Sequence, residues 1–145
     1  MQNIDNRVDD LELTRVRTLG SGHSATVYLS IDKDQKLYAE KVRQSSGFSQ
    51  LVYALSFQAP TPDRNEHAVK SAVLTRNLLT ELTNNWNSED RRIPLMADAI
   101  GYKWNHEEKT YSLITEFIQG RGPKPNTDEI DILMDCMDAL QENLF

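Results

Sequence analysis

Gly20, Gly22 and Lys41 are the residues near the start of the chain whose types and spacing could do chemistry. Residues 19–31 read LGSGHSATVYLSI, with two glycines two apart ahead of a run of β-forming residues. Glycine lets a backbone come close to a ligand, and successive N–H groups in such a turn can point at phosphate oxygens. Lys41 ends Tyr38-Ala39-Glu40-Lys41, and in an extended strand Ala39 and Lys41 share a face. A small residue at 39 leaves room for a flat base, and an ammonium two residues on can reach a phosphate. By themselves the glycines are a weak signal, since most such turns are only turns; Lys41 turns the balance toward a nucleotide.

The elements around these residues decide which nucleotide fold applies. Residues 13–19 alternate weakly and read as a strand, residues 26–31 as a stronger one, and residues 37–43 as a third across the polar turn DKDQK. Short turns join the three, so they form an antiparallel meander. The glycines therefore connect strand to strand. A dinucleotide fingerprint needs a helix after its glycines, and a P-loop needs Gly-Lys-Ser/Thr, so both are excluded. Residues 44–64 are irregular, and their apolar middle, 51–57, fits either a short helix or a strand.

Residues 65–86 predict a long helix capped by Asn65 or Asp63. Its apolar face is Val69, Ala72, Val73, Leu79, Leu82 and Trp86, with Arg76 set inside it. Burying that cation asks for an acid, and Glu40 or another acid is the candidate. Residues 94–104 and 110–118 predict two more strands, joined by the polar loop NHEEK. GRGPKPN, residues 120–126, is a linker, and Asn126 with Glu129 resembles a capping box for a last helix lined by Ile130, Leu133, Met134, Met137 and Leu140. The sum is an α+β fold: a five-stranded antiparallel sheet with one packed long helix, then a hinge and a C-terminal helix. In domain terms, residues 1–12 are a flexible arm, 13–119 the main unit with 44–64 as an insertion, 120–126 the linker and 127–145 the terminal helix.

This order of motifs resembles the small lobe of eukaryotic-type protein kinases. The family's G-x-G-x-x-G-x-V matches Gly20-Ser21-Gly22-His23-Ser24-Ala25-Thr26-Val27, with Ala25 for the third glycine, and V-A-I-K matches Tyr38-Ala39-Glu40-Lys41. Leu113 to Gly120, LITEFIQG, is similar to the fifth strand and hinge. The resemblance implies that Gly20, Ser21, Gly22 and Ala25 cover the phosphates and that Val27 and Ala39 form the adenine ceiling. It implies Thr115 as gatekeeper, with the backbone of Glu116 and Ile118 at the adenine edge. It further implies ATP as cofactor, with Mg only where a large lobe completes the site. The family's helix glutamate, which pairs with the strand lysine, has Glu66 and Glu81 as candidates; Glu66 is the possible partner of Lys41, and a capping role suits it equally. The usual glutamate position falls near Thr75, beside Arg76.

No His-Arg-Asp or Asp-Phe-Gly motif is present, so no catalytic residue is assigned, and Asp131, Asp135 and Asp138 read as a solvated helix face. The expected partners are ATP and either a large lobe, a partner protein or a second copy of the chain on the terminal helix. A non-catalytic, kinase-like binding module is the competing expectation, and an α+β interaction module without a nucleotide is a third. Net charge is −6 without a Lys/Arg cluster, which argues against nucleic acid and acidic membranes. His23, His67 and His106 are dispersed and Cys136 is the one cysteine, so neither a zinc site nor an intrachain disulfide is expected. A reducing, cytoplasmic setting fits best.

Overall fold

The computed structural model describes residues 6–84, 97–119 and 127–144, with side chains of the last helix described to Asp138. Five strands form one open antiparallel sheet: β1 (Thr14–Ser21), β2 (Ala25–Ile31), β3 (Leu37–Arg43), β4 (Ala99–Asn105) and β5 (Thr110–Glu116), in the order β1-β2-β3-β5-β4. Three helices accompany them: α1 (Gly47–Phe57), α2 (Glu66–Asn84) and α3 (Asp128–Leu144). The expected α+β sheet is present. Besides the expected long helix and C-terminal helix, the undecided stretch 51–57 is helical as part of α1, which buries none of its residues, and α3 packs against α2.

Polar turn chemistry sets the hairpins. In the β2–β3 turn, the Asp32 carboxylate accepts from the N–H groups of Asp34 and Lys36, both at 2.9 Å, and Gln35 takes the left-handed conformation that closes the turn. In the β4–β5 loop, Asn105 Oδ1 accepts from the N–H groups of Glu107 and Glu108 at 3.0 and 3.1 Å. Trp104 stacks edge-on against Tyr111 across that hairpin, centroids 4.8 Å apart.

Direct cross-strand partners share a sheet face. One face therefore carries Tyr28, Ser30, Tyr38, Glu40, Val42, Ser112 and Ile114, and the other carries Val27, Leu29, Ala39, Lys41, Leu113 and Thr115. Helix α2 lies on the second face. Its Val69 and Val73 pack with Ala99 and Tyr102, and Tyr111 and Leu113 close the cluster. The predicted face of α2 is rotated: Ala72 is exposed, whereas Thr80 and Thr83 are buried. Each threonine hydroxyl donates to the carbonyl four residues back, to Arg76 at 3.0 Å and Leu79 at 2.8 Å, so burial leaves neither polar group unsatisfied. Trp86, expected on this helix, lies outside the described residues, as do Asn126 and the 120–126 linker. At α3 the Thr127 hydroxyl accepts from the N–H of Glu129 at 3.3 Å, a cap one residue after the expected Asn126.

The first face is organised by a buried charge. Glu40 is 5% exposed and receives Arg15 twofold, from Nε at 3.2 Å and Nη2 at 3.1 Å. The Ser30 hydroxyl donates to the same carboxylate at 3.1 Å. Arg15 also donates from Nη1 to Glu108 at 2.6 Å and lies over the Tyr28 ring at 4.3 Å. Glu40 is thus not the acid that meets Arg76. Arg15 supplies its counter-charge on the far side of the sheet from α2.

The arm expected to be loose is docked over residues 6–11. Val8 N–H donates to the Tyr102 carbonyl at 2.8 Å, and Tyr102 N–H donates to the Asn6 carbonyl at 2.9 Å, which covers the outer edge of β4. Asp9 accepts from the Trp104 N–H, and Lys103 Nζ donates to the Leu11 carbonyl. Gly101 permits this approach, since a methyl there would overlap the Asn6 carbonyl and meet Val8 Cγ1 at 3.1 Å.

Burial by itself would raise the Glu40 carboxyl; the Arg15 guanidinium and the Ser30 hydroxyl outweigh it and hold it below its ordinary value of 4.5. The stability this contributes is complete above the unfolded pKa and is lost as pH falls through the lower folded one. Glu40→Gln should therefore destabilise the chain at pH 7 by on the order of 2 kcal/mol, and the gap to the parent should close in acid. Urea melts at pH 7 and pH 3 check this, and equal stabilities at pH 7 would refute it. Gly101→Ala should cost about 1–3 kcal/mol and strip hydrogen-exchange protection from the Val8 and Tyr102 amides. Unchanged protection of both would show that the arm tolerates the methyl.

Candidate functional site

Of the predicted site residues, Gly20, Ala25, Val27, Ala39, Lys41 and Thr115 share the sheet face that carries α2. Gly20 of β1 lies opposite Val27 of β2, Val27 opposite Lys41 of β3, and Lys41 opposite Leu113 of β5. In the neighbouring row Leu29 lies opposite Ala39, and Ala39 opposite Thr115. Ala25 sits at the end of the same face, opposite Arg43. One surface thus carries the glycine strand, two small apolar positions and the lysine, with Thr115 almost buried behind Ala39.

The glycine turn itself is tight. Gly22 N–H donates to the Ala25 carbonyl at 2.8 Å. Neither Gly20 nor Gly22 has a positive φ, and a side chain added at Gly20 would meet nothing within 4 Å. Backbone conformation and packing therefore do not require glycine at position 20. Ser21 belongs to the opposite face, where its hydroxyl shares a hydrogen bond with Thr26 at 3.2 Å. It can serve a ligand at the turn through its backbone only.

At the other end of the site, Glu116 is tied to the start of β4. Its N–H donates to the Asp98 carbonyl at 3.1 Å and its carboxylate accepts from the Asp98 N–H at 3.2 Å. Its N–H and its carboxylate are thus both committed to Asp98. Ile118 follows the last strand and is exposed, while Gly120 lies outside the described residues.

The expected lysine partner is overturned. Glu66 accepts from Arg7 Nη1 and from the Tyr102 hydroxyl, each at 3.0 Å, so it anchors the N-terminal arm to α2. It does not reach Lys41, which has no ion pair or hydrogen bond among the described residues. Glu81 is exposed. Arg76 is half-buried at the α2 face and donates from Nε to the Ala97 carbonyl at 2.8 Å, which answers how a cation can sit in that face without an acid. Burial, then the charges of Arg43 and Arg76, draw the Lys41 ammonium below its ordinary 10.5.

The carboxylates are segregated from this cation. The five strands contain two acids, Glu40 and Glu116, and their partners Tyr28, Ile114 and Tyr38 put both on the face away from Lys41. Among the described residues no cluster of three or more His, Cys, Asp and Glu could hold a metal. Chemically, the surface can receive an anion at Lys41 and a flat apolar group over Val27 and Ala39. A shallow hollow of about 370 Å³ beneath α1, lined by Gln50, Gln58, Pro60 and Arg64 among others, includes none of the predicted site residues. No helix among the described residues is long and apolar enough to cross a membrane. No protein-family model and no curated protein sequence matches the chain.

Sequence reasoning missed Arg7, Arg15 and Glu108. Arg15 and Glu108 are 93 residues apart, and a polar hairpin loop gives no sign that one of its acids crosses the sheet.

The effect of the Arg76 charge on Lys41 is open to direct measurement. Arg76→Gln should raise the Lys41 pKa toward 10.5, followed by side-chain NMR titration, with Arg15→Gln as a control on the opposite face. A Lys41 pKa unmoved by Arg76→Gln would separate the two cations.

Proposed function

We propose that the chain is the ATP-binding small lobe of a protein-kinase-like phosphotransferase. The single observation that carries this reading is the alignment of Gly20, Val27 and Lys41 across three strands of one face, with Ala39 and Thr115 in the adjoining row. In this reading Gly20, Gly22 and Ala25 cover the phosphates, and Val27 and Ala39 form the ceiling over the adenine. Lys41 neutralises phosphate charge. Thr115 lines the back of the base site, and the Glu116 carbonyl with the Ile118 backbone meets the adenine edge. Phosphoryl transfer then depends on a large lobe that supplies the catalytic and metal-binding aspartates, whose motifs the 145 residues do not contain. The setting is cytoplasmic.

A second reading has its own support. Glu66 is engaged by Arg7 and Tyr102, so Lys41 is not oriented by a helix glutamate as a phosphotransferase lysine is. That favours a kinase-like module that binds nucleotide without transferring phosphate.

Calorimetric titration with ATP tests the common core of both. The expected result is binding that weakens at least tenfold in Lys41→Met, since a charge-assisted contact contributes about 1.5–3 kcal/mol. Binding equal in Lys41→Met and the parent would remove the assignment of the site.

A further inference from the structure

We propose that α1 is a self-association surface, through which two copies of the chain pair antiparallel about a two-fold axis. The occupant of the surface is the same helix of a second copy. The proposal does not rest on the nucleotide reading of the sheet.

Helix α1 is turned inside out relative to an ordinary surface helix. At about 100° per residue, Phe48, Leu51, Val52 and Leu55 fall at i, i+3, i+4 and i+7 on one stripe. A surface helix ordinarily sends such a stripe into the core. Here the four are 76%, 55%, 37% and 74% exposed, and α1 has no buried residue. Its half-buried positions are Ser49, Gln50 and Tyr53, on the opposite side of the helix. That polar side is the anchored one. The Gln50 amide donates to the carbonyl and the hydroxyl of Ser45, both at 3.3 Å, and the Ser45 hydroxyl donates to Asp63 at 3.0 Å. Asp63 and Thr61, which both meet Ser45, are buried. The anchor fixes which way α1 faces, and it turns the apolar stripe to water.

Charge and area select a second copy as the occupant. Residues 44–62 contain no charged side chain, so α1 offers no complement to a charged partner. A membrane-surface helix carries Lys or Arg on its polar face, whereas the polar face of α1 carries serine and glutamine and is bonded to its own chain. An uncharged apolar stripe complements itself. In a two-fold interface residue i meets residue j of the copy, and j meets i. Antiparallel pairing centred between Leu51 and Val52 sets Phe48 against the copy's Leu55 and Leu51 against its Val52, so every member of the stripe meets another. Gly47, Ala54 and Ser56 flank the stripe, and residues this small let two helix axes come close. Taking roughly 150–200 Å² for a whole side chain of this size, the four expose on the order of 400 Å² in each copy. Pairing covers about twice that, and the flanks bring the total near the ~1,000 Å² at which specific interfaces begin, short of the roughly 2,000 Å² or more of obligate dimers. The dimer is therefore weak and reversible.

The test is sedimentation equilibrium of the full chain across micromolar to millimolar concentration. The expected result is an average mass that rises from one chain toward two. Leu55→Glu and Phe48→Lys alter exposed positions, and circular dichroism verifies that each folds. Each variant alone should lose dimer affinity by at least about tenfold. An equimolar mixture of the two should dimerise again, because antiparallel pairing sets the new carboxylate of one chain against the new ammonium of the other and keeps Phe48 against Leu55 in the second contact. A parent chain that stays monomeric throughout overturns the proposal; its sedimentation with phosphatidylcholine vesicles, lost in Leu55→Glu, would assign the stripe to a membrane instead. Dimerisation unchanged in both variants moves the interface off α1. Monomeric variants that do not recover on mixing overturn the antiparallel pairing.

Discussion

Two oppositely charged neighbours on one strand, Glu40 and Lys41, set the organisation of the molecule. Adjacent residues of an extended strand face opposite ways, so β3 must place the carboxylate on one side of the sheet and the ammonium on the other. An unpaired carboxylate buried to the extent of Glu40 would be strongly unfavourable. Arg15 from β1, Ser30 from β2 and, through Arg15, Glu108 from the β4–β5 loop all converge on it. That one acid ties four strands or their connections together. A shift of β3 by one residue would turn Glu40 toward α2 and Lys41 toward Arg15. The register that satisfies Glu40 therefore also fixes the face on which Lys41 lies.

Helix α2 completes that face, and its N-terminal turn is committed before it reaches the lysine. Val69 and Val73 seat the helix over Ala99 and Tyr102, and Tyr102 at the same time offers its hydroxyl to Glu66. Arg7 adds a second donor to Glu66 from the arm that lies along β4. The arm, the edge strand and the first turn of the helix thus form one polar junction around Glu66. Freeing this glutamate for Lys41 would break the junction and leave Arg7 with Asp9 alone. Farther along, Arg76 is held to the Ala97 carbonyl just ahead of β4, which ties the same helix to the start of that strand.

The sequence made the sheet legible because each strand carries local signals: β-branched runs at 26–31, a polar turn at 32–36 and a polar loop at 105–109. Register was not legible, since it depends on bulges such as that between Thr18 and Gly20, which leave no mark in composition. The rotation of α2 escaped for a different reason. Apolar periodicity assigns Ala72 to the core and threonine to solvent, yet a threonine that bonds its own helix four residues back can be buried without loss. The stretch 51–57 is ambiguous because it is apolar at all but Ser56 and packs none of it away; Leu55 and Phe57 are 74% and 66% exposed, so no buried stripe exists to declare a period. At the site, face and row could be read for Ala39 and Lys41, which are two apart on one strand. The role of Glu66 could not, because its partners come from residues 7 and 102.

The chain's net charge of −6 and the chemistry proposed for Lys41 are compatible because charge acts locally. At physiological salt the screening length is about 8 Å, so acids elsewhere on the chain act weakly on an ion at the sheet. What such an ion meets is the composition of one face. There the strands present Lys41 and Arg43 without an acid, and α2 adds Arg76. The acids of the strands are on the opposite side, with Glu40 neutralised by Arg15. In a globally acidic chain, the strands of that face thus carry cations and no acid. The segregation follows from strand alternation and from the partner that the fold gives Glu40.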